Sequence, residues 1–141
     1  MKRFAVTLLI AFALVLLFAY TAISKLTDYE SFRTQLGHSG AGRLFAPVAW
    51  LVPLSELVIV GMLIVKRWRR AGLVAACIFL VVATIYIAVG MGAAIDLECA
   101  CGGFLDAMPK PAHILFNLFF AGGAVAAIQM EKANIRTKDI S

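Results

Sequence analysis

Long apolar runs alternate with short polar segments along the whole chain, and these runs predict its helices. Four runs each reach roughly 20 residues, which is the length that an α-helix needs to cross a bilayer. They cover about residues 4–25, 46–65, 71–95 and 112–130. We therefore predict an all-α membrane protein, with residues 1–141 forming a single four-transmembrane-helix bundle.

The first run resembles a secretory signal in one respect, because Lys2 and Arg3 precede it. The apolar part of a signal peptide has only about 7–15 residues and is followed by a cleavage site of small residues. Here the apolar stretch is longer and continues to Lys25. We therefore expect a retained membrane helix.

Composition supports the membrane class: 62% of the residues are hydrophobic and 15% are charged. Soluble domains have about 45–50% apolar and about 25% charged residues. The net charge of +5 does not indicate a nucleic-acid partner, because the charges lie in short flanks between the apolar runs. We expect the lipid bilayer as a partner and no nucleic acid.

The positive charges also predict an orientation. Basic residues dominate the segments on one side of the predicted membrane, namely Lys2, Arg3, Lys66, Arg67, Arg69, Arg70, Lys132, Arg136 and Lys138. Cytoplasmic segments carry such an excess. We therefore predict that both termini are cytoplasmic and that the segments after the first and third runs face outwards.

The first outer segment begins with Thr27-Asp28-Tyr29-Glu30, which has the form of a helix capping box. Apolar residues then follow at helical spacing. We predict a short amphipathic helix from Thr27 to Leu36 on the outer interface. A solvated loop is the alternative.

The second outer segment carries the candidate chemistry, in the sequence "ECACGGF". Cys99 and Cys101 can form a disulfide only in a bent backbone, and Gly102 and Gly103 make bending easier. Such a bond closes a small ring, and strained, exposed disulfides tend to be labile rather than structural. Redox exchange is thus the leading interpretation. The alternatives are two inert cysteines, or a metal site that includes His113, although a structural zinc site needs four ligands.

Glu56 is an unusual residue for a membrane helix, and it follows Pro53 in "PLSEL". Ionisable groups inside a membrane are candidates for function. We predict either a structural hydrogen bond or a proton or ligand role for Glu56. Pro53 is expected to kink the helix and to leave the carbonyl of Ala49 free.

Four further polar or reactive side chains are assigned from their positions. His113 and Asn117 are four residues apart and share a helix face near the outer mouth. His113 is predicted either to orient or deprotonate a thiol or to be an interfacial histidine, and Asn117 either to bond a neighbouring helix or to contact a ligand. Lys25 is expected to extend to the membrane surface, and Cys77 to be a small packing residue.

Several segments in order resemble the MauE/DoxX-like family of redox-associated membrane proteins. They are "ISKLTDYESF" after the first run, "PLSEL" in the second, and "CACGG" followed by "HILFN" at the fourth. The resemblance extends from about Thr21 to Gly123. Many relatives carry Cys-x-Cys-Phe-Gly, whereas Gly102-Gly103-Phe104 follows the pair here, which places the chain in a subgroup.

The resemblance implies a four-helix protein of the bacterial inner membrane that takes part in thiol redox chemistry. Family members are linked to a thioredoxin-like partner and, in the DoxX branch, to a membrane quinone. From these arguments we predict a thiol–disulfide oxidoreductase with Cys99, Cys101 and His113 as catalytic residues. Glu56 and Asn117 are the candidates for binding a quinone cofactor, and no resident metal is expected. A non-enzymatic membrane scaffold or accessory subunit is the alternative.

Overall fold

Helices make up the regular secondary structure in the part of the chain that the structure describes. The structure is a computed structural model, and it describes residues 2–38, 44, 46–92 and 107–140. The elements are α1 (Lys2–Thr27), α2 (Tyr29–His38), a single 3-10 turn (Ala46–Val48), α3 (Leu51–Ile64), α4 (Arg69–Gly92) and α5 (Lys110–Ile140). The predicted all-α class is confirmed.

Four helical segments among the described residues are long and apolar enough to span a membrane: Lys2–Thr27, Ala46–Ile64, Arg69–Gly92 and Lys110–Thr137. They correspond to the four predicted runs. The last helix extends beyond the predicted end at residue 130, because the polar segment that follows is rich in residues that favour helices, such as Glu, Lys and Ala. Hydropathy identifies the part of a helix that lies inside the bilayer, but it does not show how far the helix continues through polar residues.

The four long helices close into a ring. Helix α1 packs against α3 and α5, and α4 packs against the same two helices from the other side. Membrane-spanning helices that follow one another in sequence run in opposite directions. The end of α1 therefore lies beside the start of α3. Across the centre, the ring of Phe18 on α1 meets that of Phe79 on α4 edge-on, with centroids 5.4 Å apart.

The bundle buries an inner face and leaves an apolar outer face. Leu14, Leu63 and Leu73 are buried in the core. Leu9 and Phe119, by contrast, are 68% and 76% exposed, and many other large apolar side chains are also exposed. In water such a surface would be strongly unfavourable, whereas lipid chains solvate it. The chain is therefore a multi-pass membrane protein whose outer face contacts the bilayer.

The predicted kink at Pro53 is wrong. Helix α3 begins at Leu51, so Pro53 lies in its first turn, where a missing backbone N–H breaks no helical hydrogen bond. The carbonyl of Ala49 is not free either, because it accepts a hydrogen bond from the N–H of Val52 at 3.2 Å. Pro53 starts the helix that carries Glu56 rather than bending it.

A short helix follows α1, as predicted, but the predicted capping box is wrong. Helix α2 begins at Tyr29, and Thr27 is still the last residue of α1. The hydroxyl of Thr27 donates a hydrogen bond back to the carbonyl of Ile23 at 2.7 Å. The N–H of Asp28 likewise bonds the carbonyl of Ser24. Helical bonding thus continues through the predicted cap, and α2 follows α1 after a single turn residue.

Candidate functional site

A buried ion pair lies near the end of the bundle where α1 ends and α3 begins. The Nζ atom of Lys25 lies 2.6 Å from Oε1 of Glu56. Lys25 is 6% exposed and Glu56 is 1% exposed. The expectation that Lys25 extends to the membrane surface is therefore wrong. Isolated charges are costly in an apolar interior, so each of these two groups makes the burial of the other tolerable.

Thr21 completes this side of the site. It precedes Lys25 by four residues and so shares its face of α1. The hydroxyl of Thr21 lies 3.2 Å from Oε1 of Glu56 and 3.2 Å from the carbonyl of Phe18. Its single proton is shared between these two acceptors. One carboxylate oxygen of Glu56 thus has two donors, both supplied by α1.

Helix α5 faces the ion pair with two polar side chains. Pro109 precedes the helix and accepts a hydrogen bond from the N–H of His113 at 3.0 Å, which fixes the first turn. His113 is 2% exposed and Asn117 is 5% exposed. They share one helix face, as predicted, and their burial shows that this face points into the bundle. His113 is thus a buried side chain of the bundle rather than an interfacial one.

The ion pair and the two polar residues of α5 line one cavity of about 40 Å³. Its walls come from all four long helices: Leu17, Phe18, Thr21, Lys25, Glu56, Phe79, Leu80, Ala83, His113 and Asn117. A water needs about 10–15 Å³ when volume is measured in this way, so the cavity has room for very few waters. Pockets for organic ligands are of the order of 300–1,000 Å³.

The cavity between the described residues is smaller than such pockets. The assignment of Glu56 and Asn117 to a quinone stays a prediction, and we derive no step through a quinone.

Two buried polar atoms at the cavity have no hydrogen-bond partner among the described residues. One is Oε2 of Glu56, which is an acceptor, and the other is Nδ2 of Asn117, which is a donor. An unpaired buried polar group costs about 1–3 kcal/mol. The hydrogen bond that the sequence predicted from Asn117 to a neighbouring helix is not made through Nδ2 in this part of the structure.

Helix α2 reaches the site from outside the ring. Phe32 is buried, and the Nζ atom of Lys25 lies 5.8 Å from the centroid of its ring. This distance is within the range of a cation–π contact. Through this contact between Phe32 and Lys25, helix α2 touches the buried ion pair.

Comparison with known protein families agrees with this architecture. A family model described as "Methylamine utilisation protein MauE" matches residues 3–130. The chain belongs to the MauE family. The match includes the second and third membrane-spanning segments, most of the first and fourth, and every residue of the buried site. No curated protein and no solved structure matches the chain at a significant level.

The residues predicted to be functional divide into two groups. Glu56, His113 and Asn117 come together around one cavity, as the geometry above shows. Cys99 and Cys101 lie outside the described residues. Cys77 has a free thiol and packs against the core, as predicted for a small packing residue.

Sequence reasoning missed Lys25 and Thr21 as parts of the site. A signal for Lys25 was available, because a carboxylate inside an apolar run needs a counter-charge and Lys25 ends the neighbouring run. Thr21 carried no comparable signal, since hydroxyl side chains are common in membrane helices and often bond their own backbone.

The metal alternative is not supported by the part of the chain that can be described. Within residues 2–38, 44, 46–92 and 107–140, no group of three or more His, Cys, Asp or Glu side chains is placed to hold a metal ion. The set considered from the sequence combined His113 with Cys99 and Cys101, and those two cysteines lie outside the described residues.

Proposed function

We propose that this MauE-family protein is a thiol–disulfide redox protein of the bacterial inner membrane. Cys99 and Cys101 are its reactive pair, and they exchange electrons with an exported thioredoxin-like partner on the outer side. The observation that carries the proposal is a Gly-flanked Cys-x-Cys in the segment that joins α4 to α5. That segment leads directly into the turns of α5 that carry His113.

The position of the segment supports this function. The cavity is lined by residues from the middle of α4 and by the first turns of α5. Helix α4 ends and α5 begins at the site end of the bundle, which we define as the end that holds Lys25, Glu56 and His113. A buried imidazole near the start of α5 is suited to accept a proton from a thiol.

The exchange step balances without any further reactant. The disulfide of Cys99 and Cys101 accepts two electrons and two protons from a partner dithiol, and the partner leaves as a disulfide. The attacking partner thiolate forms a mixed disulfide with one cysteine and releases the other as a thiolate, which takes up a proton. The second thiolate of the partner then attacks the mixed disulfide, which frees the remaining cysteine and leaves the partner as a disulfide. The reverse sequence reduces the partner instead. Depending on the oxidant available, the same pair can thus oxidise or reduce a partner.

Thiol counting on purified protein tests this proposal. The protein is denatured and labelled with a maleimide that adds a measurable mass, with and without prior reduction. We expect reduction to expose two additional thiols in the wild type and none in Cys99→Ser or Cys101→Ser. Cys77→Ser is the matched control, because Cys77 packs against the core on a membrane helix and its loss should leave the two-thiol difference intact. Equal labelling before and after reduction under oxidising conditions would contradict the proposal.

Labelling of the same cysteines tests the orientation of the protein in the membrane. We expect a membrane-impermeant maleimide to label reduced Cys99 and Cys101 in intact spheroplasts, whereas Cys77 should remain unlabelled. Labelling that requires lysis would place the pair on the cytoplasmic side and would contradict an exported partner.

A membrane scaffold or accessory subunit is the second candidate, and the small cavity favours it. A space of about 40 Å³ between the described residues is small beside ordinary ligand pockets, and in this reading the polar site serves only to join helices. In that case Cys99→Ser and Cys101→Ser would leave both the associated partner and its activity unchanged.

A further inference from the structure

We propose that the cavity holds an ordered water between Oε2 of Glu56 and Nδ2 of Asn117, and that this water makes Glu56 a proton acceptor for His113. The two atoms are a buried acceptor and a buried donor, and neither has a partner within the described part of the chain. They line the same cavity.

The complementarity of these atoms is the first argument. A bridging water accepts a hydrogen bond from Nδ2 of Asn117 and donates one to Oε2 of Glu56. Buried waters typically make about three such bonds to groups that would otherwise be unsatisfied. The cavity volume of about 40 Å³ exceeds the roughly 10–15 Å³ that one water requires. A dry cavity would leave both groups unpaired at the same place.

The charges around the water give the second argument. Glu56 faces Lys25 from α1 and His113 from α5, while α4 contributes only apolar residues to the lining, namely Phe79, Leu80 and Ala83. Lys25 bonds Oε1 of Glu56, which leaves Oε2 as the oxygen that can take a proton from the cavity. His113 lies one helical turn before Asn117, on the side towards the start of α5.

The proton step deepens the proposed function and rests on it. A thiol of Cys99 or Cys101 transfers its proton to neutral His113 and becomes a thiolate. The imidazolium returns a proton to the water, and the water passes another to Oε2 of Glu56. The products are a thiolate, a neutral imidazole, an unchanged water and a carboxylic acid beside the Lys25 ammonium. Net charge is conserved, and the thiolate is the reactive form.

Nuclear magnetic resonance tests whether the cavity holds an ordered water, and this test does not depend on activity. In labelled wild-type protein in detergent micelles, we expect magnetisation transfer from water to the Asn117 side-chain amide. The same amide should be protected from a water-soluble paramagnetic reagent, because Asn117 is buried. Loss of the signal in Asn117→Leu assigns it. An amide that is protected but receives no magnetisation from water would show a dry cavity and would overturn the proposal.

Oxidation kinetics test the proton step. Reduced protein is mixed with a small aromatic disulfide, and thiol loss is followed across a range of pH. We expect Asn117→Leu and the double variant Lys25→Met/Glu56→Gln to react about 10²-fold more slowly near neutral pH, which is the low end of what a positioned acid–base group contributes. The double variant removes both charges together, so neither remains buried without its partner.

The pH profile separates proton transfer from a general loss of structure. Above the ordinary thiol pKa of about 8.5 the thiolate forms without a relay, so the variant rates should approach that of the wild type. A rate deficit that is constant across pH, or no deficit at all, would overturn the proton step. If the cysteines do not cycle between dithiol and disulfide in any variant, the proposed function fails. The resonance experiment still decides whether the cavity holds an ordered water.

Discussion

The helices pack differently at the two ends of the bundle. At the site end, charged and polar side chains surround a cavity of about 40 Å³. At the far end, where α3 passes into α4, backbones approach closely. Gly72 lies so near α3 that a Cβ placed on it would be 3.0 Å from the backbone N of Leu63. Nε of Arg69 also donates a hydrogen bond to the carbonyl of Leu63.

Small residues extend this tight packing along α5. Ala124 and Ala127 are fully buried, which matches the small side chains that allow close approach between membrane helices. The far end thus gains stability from close contacts between helices, whereas the site end retains a cavity with two unpaired polar atoms beside it. Oε2 of Glu131, nearer the far end of α5, is also buried without a partner among the described residues, so the cavity is what distinguishes the site end. Groups that lower stability are tolerated where they serve a function, so this contrast supports the proposal that the site end is the functional one.

The largest expected effect comes from breaking the ion pair. Lys25→Met leaves Glu56 buried without its partner, and Glu56→Gln leaves Lys25 in the same position. Removing one partner of a buried pair costs about 3–5 kcal/mol. We therefore expect either single variant to lower the free energy of unfolding by that amount, measured by denaturant titration in mixed micelles.

The double variant sharpens this prediction. Lys25→Met/Glu56→Gln removes both charges while keeping similar shapes, and such replacements are often neutral or stabilising. We expect it to be more stable than either single variant. Lys66→Met is the control for loss of a lysine, because Lys66 is exposed, and it should change stability by less than about 0.5 kcal/mol. Additive losses in the double variant would show that the two side chains are not coupled.

The far end can be disturbed by a single methyl group. A Cβ at Gly72 would lie 3.0 Å from N of Leu63 and 3.0 Å from both C and Cβ of Met62. The neighbouring helix would have to shift, and such overpacking costs about 1–3 kcal/mol. We expect Gly72→Ala to lower the unfolding free energy by this amount in the same titration.

Gly61 on α3 provides the matched control for that substitution. A Cβ at Gly61 would meet no atom within 4 Å, and alanine favours a helix over glycine by about 0.8–1.0 kcal/mol. Gly61→Ala should therefore be neutral or stabilising. Equal losses in both variants would indicate a general intolerance of these helices to alanine rather than a close contact at Gly72.

Much of the fold could be predicted because the bilayer imposes a length on each helix. The apolar runs that contain Leu14, Ile59 and Leu80 identify their helices without any knowledge of contacts. The start of α3 could not be read in this way, because the apolar run begins at Ala46 whereas the helix begins at Leu51. Hydropathy does not distinguish a 3-10 turn from an α-helix.

The candidate site was predictable only as separate parts. The spacing of His113 and Asn117 placed them on one face, and burial made Glu56 a candidate. Which residues meet depends on how the helices pack. Lys25 could be placed at the end of a run from sequence, but a lysine there can turn either to the surface or to a buried acid. The position of Glu56 on a neighbouring helix decides between these outcomes.

A smaller effect is expected when the second donor to Glu56 is removed. Thr21→Val keeps the shape of the side chain and deletes the hydroxyl that lies 3.2 Å from Oε1. Hydrogen bonds contribute about 0.5–1.5 kcal/mol, and this proton is shared with the carbonyl of Phe18. We expect a loss of about 1 kcal/mol in unfolding free energy. Thr84→Val is the control, since its hydroxyl bonds only the carbonyl of Leu80 among the described groups; a loss as large there would rule out a specific role for Thr21.

The smallest effect should come from the contact between the site end and α2. Phe32→Leu keeps an apolar side chain in place but removes the ring that lies 5.8 Å from Nζ of Lys25. Cation–π contacts contribute about 0.5–1 kcal/mol at exposed sites and about 2 kcal/mol when desolvated. Both side chains are buried here, but 5.8 Å is near the limit of the range, so we expect the low end of these values. We expect a loss of about 0.5 kcal/mol in the wild type and a smaller one in the Lys25→Met/Glu56→Gln background, where no cation remains. Equal losses in the two backgrounds would mean that Phe32 stabilises α2 by packing alone. The charge of Lys25 would then make no contribution to the stability of α2.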